Sequence, residues 1–290
     1  MGKKRRKDRT DGRYIRTLDP YHKFLPVIMK KKNDACNYFS DSIEMTELDR
    51  YFRKRRVEDG MPGLGMLHLF TAAYLRMVSR YPAMNRFVSG QRVYARNNVE
   101  LVMTIKTAMT VDAPETSIKV ELDVRDTVAD VYRKINEHVE RVKNAEGTNT
   151  DDVAGSLVKL PRLLLKFVIF MLDVLDYFGK MPKVVLDASP FHGSIIITDL
   201  GSIGLPPIFH HLYNFGNLPL FIALGAKRKV YETQADGSAA ERKYLDFTLV
   251  SDERVSDGFY FSQVYRYFKS LLRDPTQLDV PPETVVPDQE

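Results

Sequence analysis

Apolar side chains recur at helical spacing in four stretches of the chain and alternate with polar ones in several others. Leu67, Phe70, Ala73, Tyr74 and Met77 share one stripe of a helix over residues 67–80. Tyr81-Pro82 ends it, because a residue before proline is pushed out of helical geometry. Val128, Val131, Ile135, Val139 and Val142 define a second helix, opened by Asp126-Thr127. Phe261, Val264, Phe268 and Leu271 define a closing helix over 259–272. Residues 160–179, LPRLLLKFVIFMLDVLDYFG, are apolar apart from Arg162, Lys166, Asp173 and Asp176, whose spacing gathers them on one side. The pattern predicts a deeply buried core helix, or one whose apolar face lines a pocket. Its uninterrupted apolar run, 167–172, is far too short for a bilayer.

Strand patterns fill the intervals. Residues 37–45 alternate, with Phe39, Ile43 and Met45 as one buried stripe, and T-E-L-D from Thr46 is a capping pattern for a helix through 56. A Gly/Pro loop, DGMPGLG, follows. Further strands are expected at 92–94, 99–107 and 117–124, then a polar loop at 144–152. Residues 194–198 and 218–224 read as buried strands, and 228–233 with 244–250 as hairpin arms around A-D-G-S. Strands spread through the chain, with helices early, mid-chain and at the close, predict an α+β (α/β) sandwich with a mixed sheet flanked by helices.

Charge sets the boundaries. Residues 3–13 hold seven basic and two acidic side chains, which equals the whole net charge of +5. Residues 1–19 therefore read as a solvated basic tail, 20–275 as one folded domain and 276–290 as a proline-rich acidic tail. The rest of the chain is near neutral, and no nucleic-acid partner is expected. One cysteine, Cys36, excludes an intrachain disulfide and a cysteine-held metal cluster and fits a reducing, cytoplasmic setting. The basic N-terminus lacks the apolar stretch of a secretory signal. No HExxH, CxxC, P-loop, GxGxxG or GxSxG spacing occurs, so neither a metal nor nucleotide chemistry has local support.

Residues 250–258 read VSDERVSDG, between a predicted strand and the closing helix. The segment resembles the DHRxxDG signature of the dihydrolipoamide acyltransferase catalytic domains, and the HHxxxDG form of chloramphenicol acetyltransferase and condensation domains. IIITDLGSIG at 195–204 is similar to the family's FTISNLG segment, and LPLFIALGAKRK to the strand after it. MLHLFTAAYLRMVSRYPAMNR resembles its helix ending in a P-x-x-N turn, and residues 37–56 resemble its first strand and helix. The resemblance spans most of 20–275 in family order and implies a chloramphenicol acetyltransferase-like fold.

That resemblance also implies an activity: acyl transfer between coenzyme A and an acceptor, at sites formed between subunits of a homotrimer. Position by position, Asp252, Arg254, Asp257 and Gly258 match the motif and would support the site. Glu253 stands where the family has its catalytic histidine. Thr198 stands where the family has a hydroxyl that donates to the oxyanion, and Gly201, Ser202 and Gly204 fall in the segment expected to meet CoA. A positioned base must take the acceptor's proton. A carboxylate, with an ordinary pKa near 4.3, is a weak base toward a thiol unless burial raises it. Glu253 is thus either that base or a salt-bridge or capping residue in an inert site. His210 and His211, in PPIFHHLYNFG, and His192, in SPFHG, are the other imidazoles considered as bases. Asp257 also suits the N-cap of the closing helix, with Arg254 as its charge partner or an internal anchor. Two functions follow: an acyl-CoA-dependent acyltransferase, with a separate acyl-carrier protein as a possible partner, or a catalytically inactive trimeric scaffold or ligand-binding homologue.

Overall fold

The computed structural model of the chain describes residues 5–106, 110, 112, 115–144 and 149–290. In chain order the elements are β1 (Gly12–Tyr14), α1 (Pro20–Ile28), β2 (Cys36–Glu44), α2 (Thr46–Glu58), α3 (Met66–Arg80), β3 (Arg86–Ser89), β4 (Arg92–Arg96), β5 (Val99–Lys106) and β6 (Glu115–Leu122). There follow α4 (Val128–Asn144), α5 (Asn149–Val158), α6 (Arg162–Tyr177), α7 (Lys183–Ala188), β7 (Ile195–Asp199), β8 (Leu220–Thr233), β9 (Ala239–Asp252) and α8 (Gly258–Arg273).

A six-stranded mixed sheet, ordered β2-β9-β8-β7-β5-β6, forms the centre, and β1-β4-β3 make a smaller antiparallel sheet. Strand β7 runs parallel to both β5 and β8; the remaining neighbours are antiparallel. Alternation along the strands decides the layers. Ile195, Ile197, Leu220, Ile222 and Leu224 face a core built with α2, α3, α4 and α8. There Phe70 of α3 meets Phe247 and Phe268 edge-on at 5.2 Å. Ile196, Phe221, Ala223 and Val250 point the other way and are covered by Leu212 and Leu218 of the long β7–β8 connection. The Thr248 hydroxyl donates to the Ile208 carbonyl and holds that connection against the sheet.

Several expectations change. The basic segment is not a free tail: β1 pairs with β4, Ile15 and Leu18 are buried, and Arg9 is only 4% exposed. Arg9 is drawn in by opposite charge, with Asp11 at 2.7 Å and Asp176 at 2.6 Å, and its guanidinium lies over Phe87 and Tyr94. The acidic segment at the other end is also docked. Leu278 is buried, the Val286 amide donates to the Ser79 carbonyl, and the Asp288 carboxylate accepts from Arg86 at 2.9 Å. The Glu290 carbonyl accepts from the Arg16 and Thr17 amides.

Thr46 opens α2 without capping it; its hydroxyl donates to Glu44 instead. Phe39 is partly exposed because β2 is an edge strand, and it stacks on Phe261 at 4.6 Å rather than joining the core of Ile43 and Met45. The strands expected at 218–224 and 228–233 are one, β8, with a register irregularity between Leu224 and Lys227. The polar stretch at 144–152 passes into α5 at Asn149; its residues 145–148, and residue 107 of the strand expected at 99–107, lie outside the described residues.

The largest departure is α6. The helix forms, but it is not a core helix: Leu163 is 82%, Phe167 59% and Phe170 60% exposed, and Asp176 is its one buried residue. Apolar periodicity marks a stripe without saying what covers it. Among the described residues no helix is long and apolar enough to cross a membrane.

Candidate functional site

Strand β9 delivers the DERVSDG segment. Asp252, its last residue, is buried and grips Arg254 through two parallel bonds, Nε to Oδ1 at 2.7 Å and Nη2 to Oδ2 at 2.6 Å. Arg254 Nη1 also donates to the Met29 carbonyl just past α1, at 2.8 Å. A planar guanidinium suits this two-pronged geometry. Arg254 is thus an internal anchor, and its charge partner is Asp252 rather than Asp257. Asp257 caps α8, accepting from the Tyr260 amide at 2.7 Å, and exposed Gly258 starts the helix.

Glu253 lies between these anchors and points to a different environment. Its amide donates to the Ala35 carbonyl at 2.9 Å, and its carboxylate accepts from Asn37 Nδ2 at 3.0 Å. It lines a cavity of about 510 Å³, together with Asn37 and Phe39 from β2, Asp257, Phe261 and Tyr265 around α8, and Tyr21, His22 and Leu25 from α1. The Tyr265 hydroxyl is committed to Asp41 at 2.7 Å, and burial with that carboxylate pushes the phenol pKa up.

Thr198 belongs to a second cluster. It lies on β7 opposite Ala223 of β8, which in turn pairs with Thr248 of β9. Glu253 is five residues beyond Thr248, so two strand spacings and five strand residues separate it from Thr198 by about 19 Å. Within one chain the two do not meet. Thr198 shares its sheet face with Ile196, whose partner Phe221 stacks under His210 at 4.1 Å. His210 Nδ1 donates to the His211 carbonyl at 2.7 Å, and burial lowers its pKa, so its imidazole is neutral at pH 7. His211 is exposed and stacks on His210 at 4.7 Å.

The glycines nearby have local duties. A Cβ on Gly201 would stand 2.5 Å from the Gly225 carbonyl oxygen, and Gly204 has φ +77°, so the turn after β7 requires both. The Ser202 hydroxyl donates to the Asp199 carbonyl. His192 is buried, its Nδ1 at 2.8 Å from the Ser189 hydroxyl and its Nε2 at 3.5 Å from Asp176, away from both clusters. Among the described residues no group of three His, Cys, Asp or Glu is placed to hold a metal ion.

His22 also lines the cavity and was not expected there. The signal was L-D-P-Y-H: Asp followed by Pro is a helix start with Asp as cap and Pro at the first position. Asp19 does cap α1, accepting from the Tyr21 and His22 amides, and its other oxygen holds His22 Nδ1 at 2.5 Å. These bonds, led by that of the His22 amide, keep the Asp19 carboxyl below its usual pKa.

No protein-family model and no curated protein matches the sequence. Solved structures do. The dihydrolipoamide acetyltransferase of Azotobacter vinelandii superposes with a TM-score of 0.56 at 14% identity, covering 88% of this chain and 90% of that one. The cubic core of a pyruvate dehydrogenase multienzyme complex gives 0.52 at 15% identity, with 89% and 88% covered. A chloramphenicol acetyltransferase gives 0.52 at 11% identity, with 90% and 99% covered. The fold is therefore the mixed sheet with flanking helices shared by these acetyltransferases, as the motif resemblance implied.

Proposed function

We propose that this chain is an acyltransferase that moves an acyl group from acyl-CoA or a related thioester to a thiol, hydroxyl or amine, working as a homotrimer. The observation that carries the reading is the position of Glu253. At the junction of β9 and α8 it lines a cavity of about 510 Å³, in a fold shared with two kinds of acetyltransferase. The Asp252–Arg254 pair and the Asp257 cap hold the segment that carries it.

Thr198 lies too far from Glu253 in its own subunit to serve the same site, so its hydroxyl would serve the cavity of a neighbour. The connection after Thr198 presents Ile203, Leu205, Ile208 and Phe209 to solvent, an apolar surface suited to subunit contact. The solved cubic core, which has this fold, supports assembly. In such a site the acceptor loses its proton to a group in the cavity, the Thr198 hydroxyl donates to the oxyanion, and the Gly201–Ser202–Gly204 turn meets the pantetheine arm. A separate acyl-carrier protein fits the donor role as well as free CoA does.

The rival is an inactive trimeric scaffold or ligand-binding homologue. Its support is the carboxylate at the motif position, a weak base by ordinary pKa. Purified protein given acetyl-CoA and a thiol acceptor separates the two. Glu253→Gln and Thr198→Ala are each expected to slow CoA release about 100-fold. A protein that releases no CoA, and gives no heat when titrated with CoA, is the scaffold.

A further inference from the structure

The cavity holds an imidazole that the motif lacks. His22 lines the same cavity as Glu253 but comes from α1, far upstream in sequence. A carboxylate only accepts hydrogen bonds, so the 2.5 Å contact with Asp19 places the ring proton on Nδ1. In the neutral ring Nε2 then carries the lone pair, and no hydrogen bond to it occurs among the described residues. The helix that carries His22 is tied to the motif itself, since Arg254 Nη1 holds the Met29 carbonyl at the end of α1 while Asp252 grips the same guanidinium. The other candidates are occupied or elsewhere. Asp257 caps α8, Tyr265 is bonded to Asp41, and His210 lies over Phe221 on the Thr198 side of the sheet.

We infer that His22, oriented by Asp19, is the general base of this cavity, and that Glu253 faces it as the carboxylate that balances the imidazolium. The inference rests on the acyl-transfer reading. The step balances: the acceptor's X–H bond breaks, the proton passes to His22 Nε2, and the freed pair on X bonds to the thioester carbonyl carbon. When the tetrahedral adduct collapses, the C–S bond breaks and the departing CoA thiolate takes the proton from Nε2. A thiol is a weak acid and imidazole is the side chain whose charge changes nearest neutral pH, so a histidine suits this step better than a carboxylate. The titratable groups facing it are Asp19, which caps α1, Tyr21 on α1, and Glu253, Asp257 and Tyr265 across the cavity.

The test uses the full chain, with acetyl-CoA as donor and dithiothreitol as acceptor, and follows acetylated dithiothreitol by chromatography. For His22→Ala, kcat is expected to fall about 100-fold or more. The rising limb of the kcat–pH profile through the imidazole range disappears, and added imidazole restores part of the rate. Glu253→Gln lowers kcat but keeps that limb. Asp19→Asn lowers kcat with little change in KM. His22 lies on a surface helix, and an unchanged melting temperature checks that the variant folds. If His22→Ala retains the limb, or keeps its rate while the wild type turns over, His22 is not the base although acyl transfer stands. A wild type inactive with both acetyl-CoA and palmitoyl-CoA, and unable to bind CoA, removes the transfer reading and this assignment together.

Discussion

Lys32 is almost wholly enclosed, and its Nζ donates to the Gly216 carbonyl at 2.6 Å with no carboxylate at bonding distance among the described residues. Burial, only partly opposed by Asp252 and reinforced by Arg254, brings its pKa down to about 7. The native value lies below the unfolded one, near 10.5. Between those limits the unfolded chain holds a proton that the native chain lacks, so stability rises as pH increases from 7 toward 10. Lys32→Met is expected to be more stable than wild type by a few kcal/mol at pH 7, with the gap narrowing by pH 9.5; urea denaturation at both pH values measures it. This residue gave no sequence signal, because K-K-K-N looks like any solvated run. The motif was different: D-E-R-V-S-D-G located Glu253, Asp257 and the helix start. It could not say which aspartate holds Arg254, since spacings of two and three residues both reach. His22 went unread because its partners are distant in sequence, apart from the Asp-Pro that starts its helix.

At the scale of elements, a periodic stripe means different things in α3 and α6. Both read as strong apolar helices, and the length and limits of each were legible to within a few residues. Phe70 of α3 is buried among Phe247 and Phe268, whereas Phe167 and Phe170 of α6 face outward. Phe70→Ala is expected to cost about 3–5 kcal/mol through lost contacts and the cavity left behind. Phe167→Ser with Phe170→Ser is expected to cost under about 1 kcal/mol, since neither ring leaves an enclosed site. Guanidinium denaturation of the two variants decides it; a loss above 3 kcal/mol for the α6 pair restores the core-helix reading. Strand periodicity did better for β7, expected at 194–198 and found at Ile195–Asp199, because a central strand is covered on both faces by its own chain. It did worse at the edge strand β2, where the outermost ring has only one neighbour.

For the molecule as a whole, the two charged end segments act as straps. Arg9 joins the segment before β1 to α6 and β3 by reaching Asp11, Asp176 and the Ser89 hydroxyl, and Asp288 reaches Arg86 on β3. Burial pushes the Asp176 carboxyl up, but His192 and Arg9 outweigh it and hold the group well below the usual carboxylate range. A depressed carboxylate stabilises above its unfolded pKa, so this contribution is present at neutral pH and is lost as the pH falls below about 4. Arg9→Ala strands Asp11 and Asp176 without their cation and is expected to cost about 3–5 kcal/mol at pH 7, with a smaller penalty in acid. Thermal melts at pH 7 and 3.5 provide the check. Net charge located the basic segment in the sequence but not its fate, because the carboxylates that receive it, Asp11 and Asp176 for Arg9 and Glu290 for Arg5, are spread from position 11 to 290.

Beyond Lys227 and Tyr244, β8 and β9 leave the sheet and continue as a two-stranded ribbon, Lys229–Thr233 against Ala239–Lys243, with neither β2 nor β7 alongside. Such a ribbon is marginal alone, and the buried halves of the same strands do not depend on it. The connection at 234–238 lies at the far end of β9 from Glu253. It is therefore a natural port of entry for engineering: a peptide tag or fluorescent reporter spliced there would ride on the protein while the cavity lined by Glu253 stays intact.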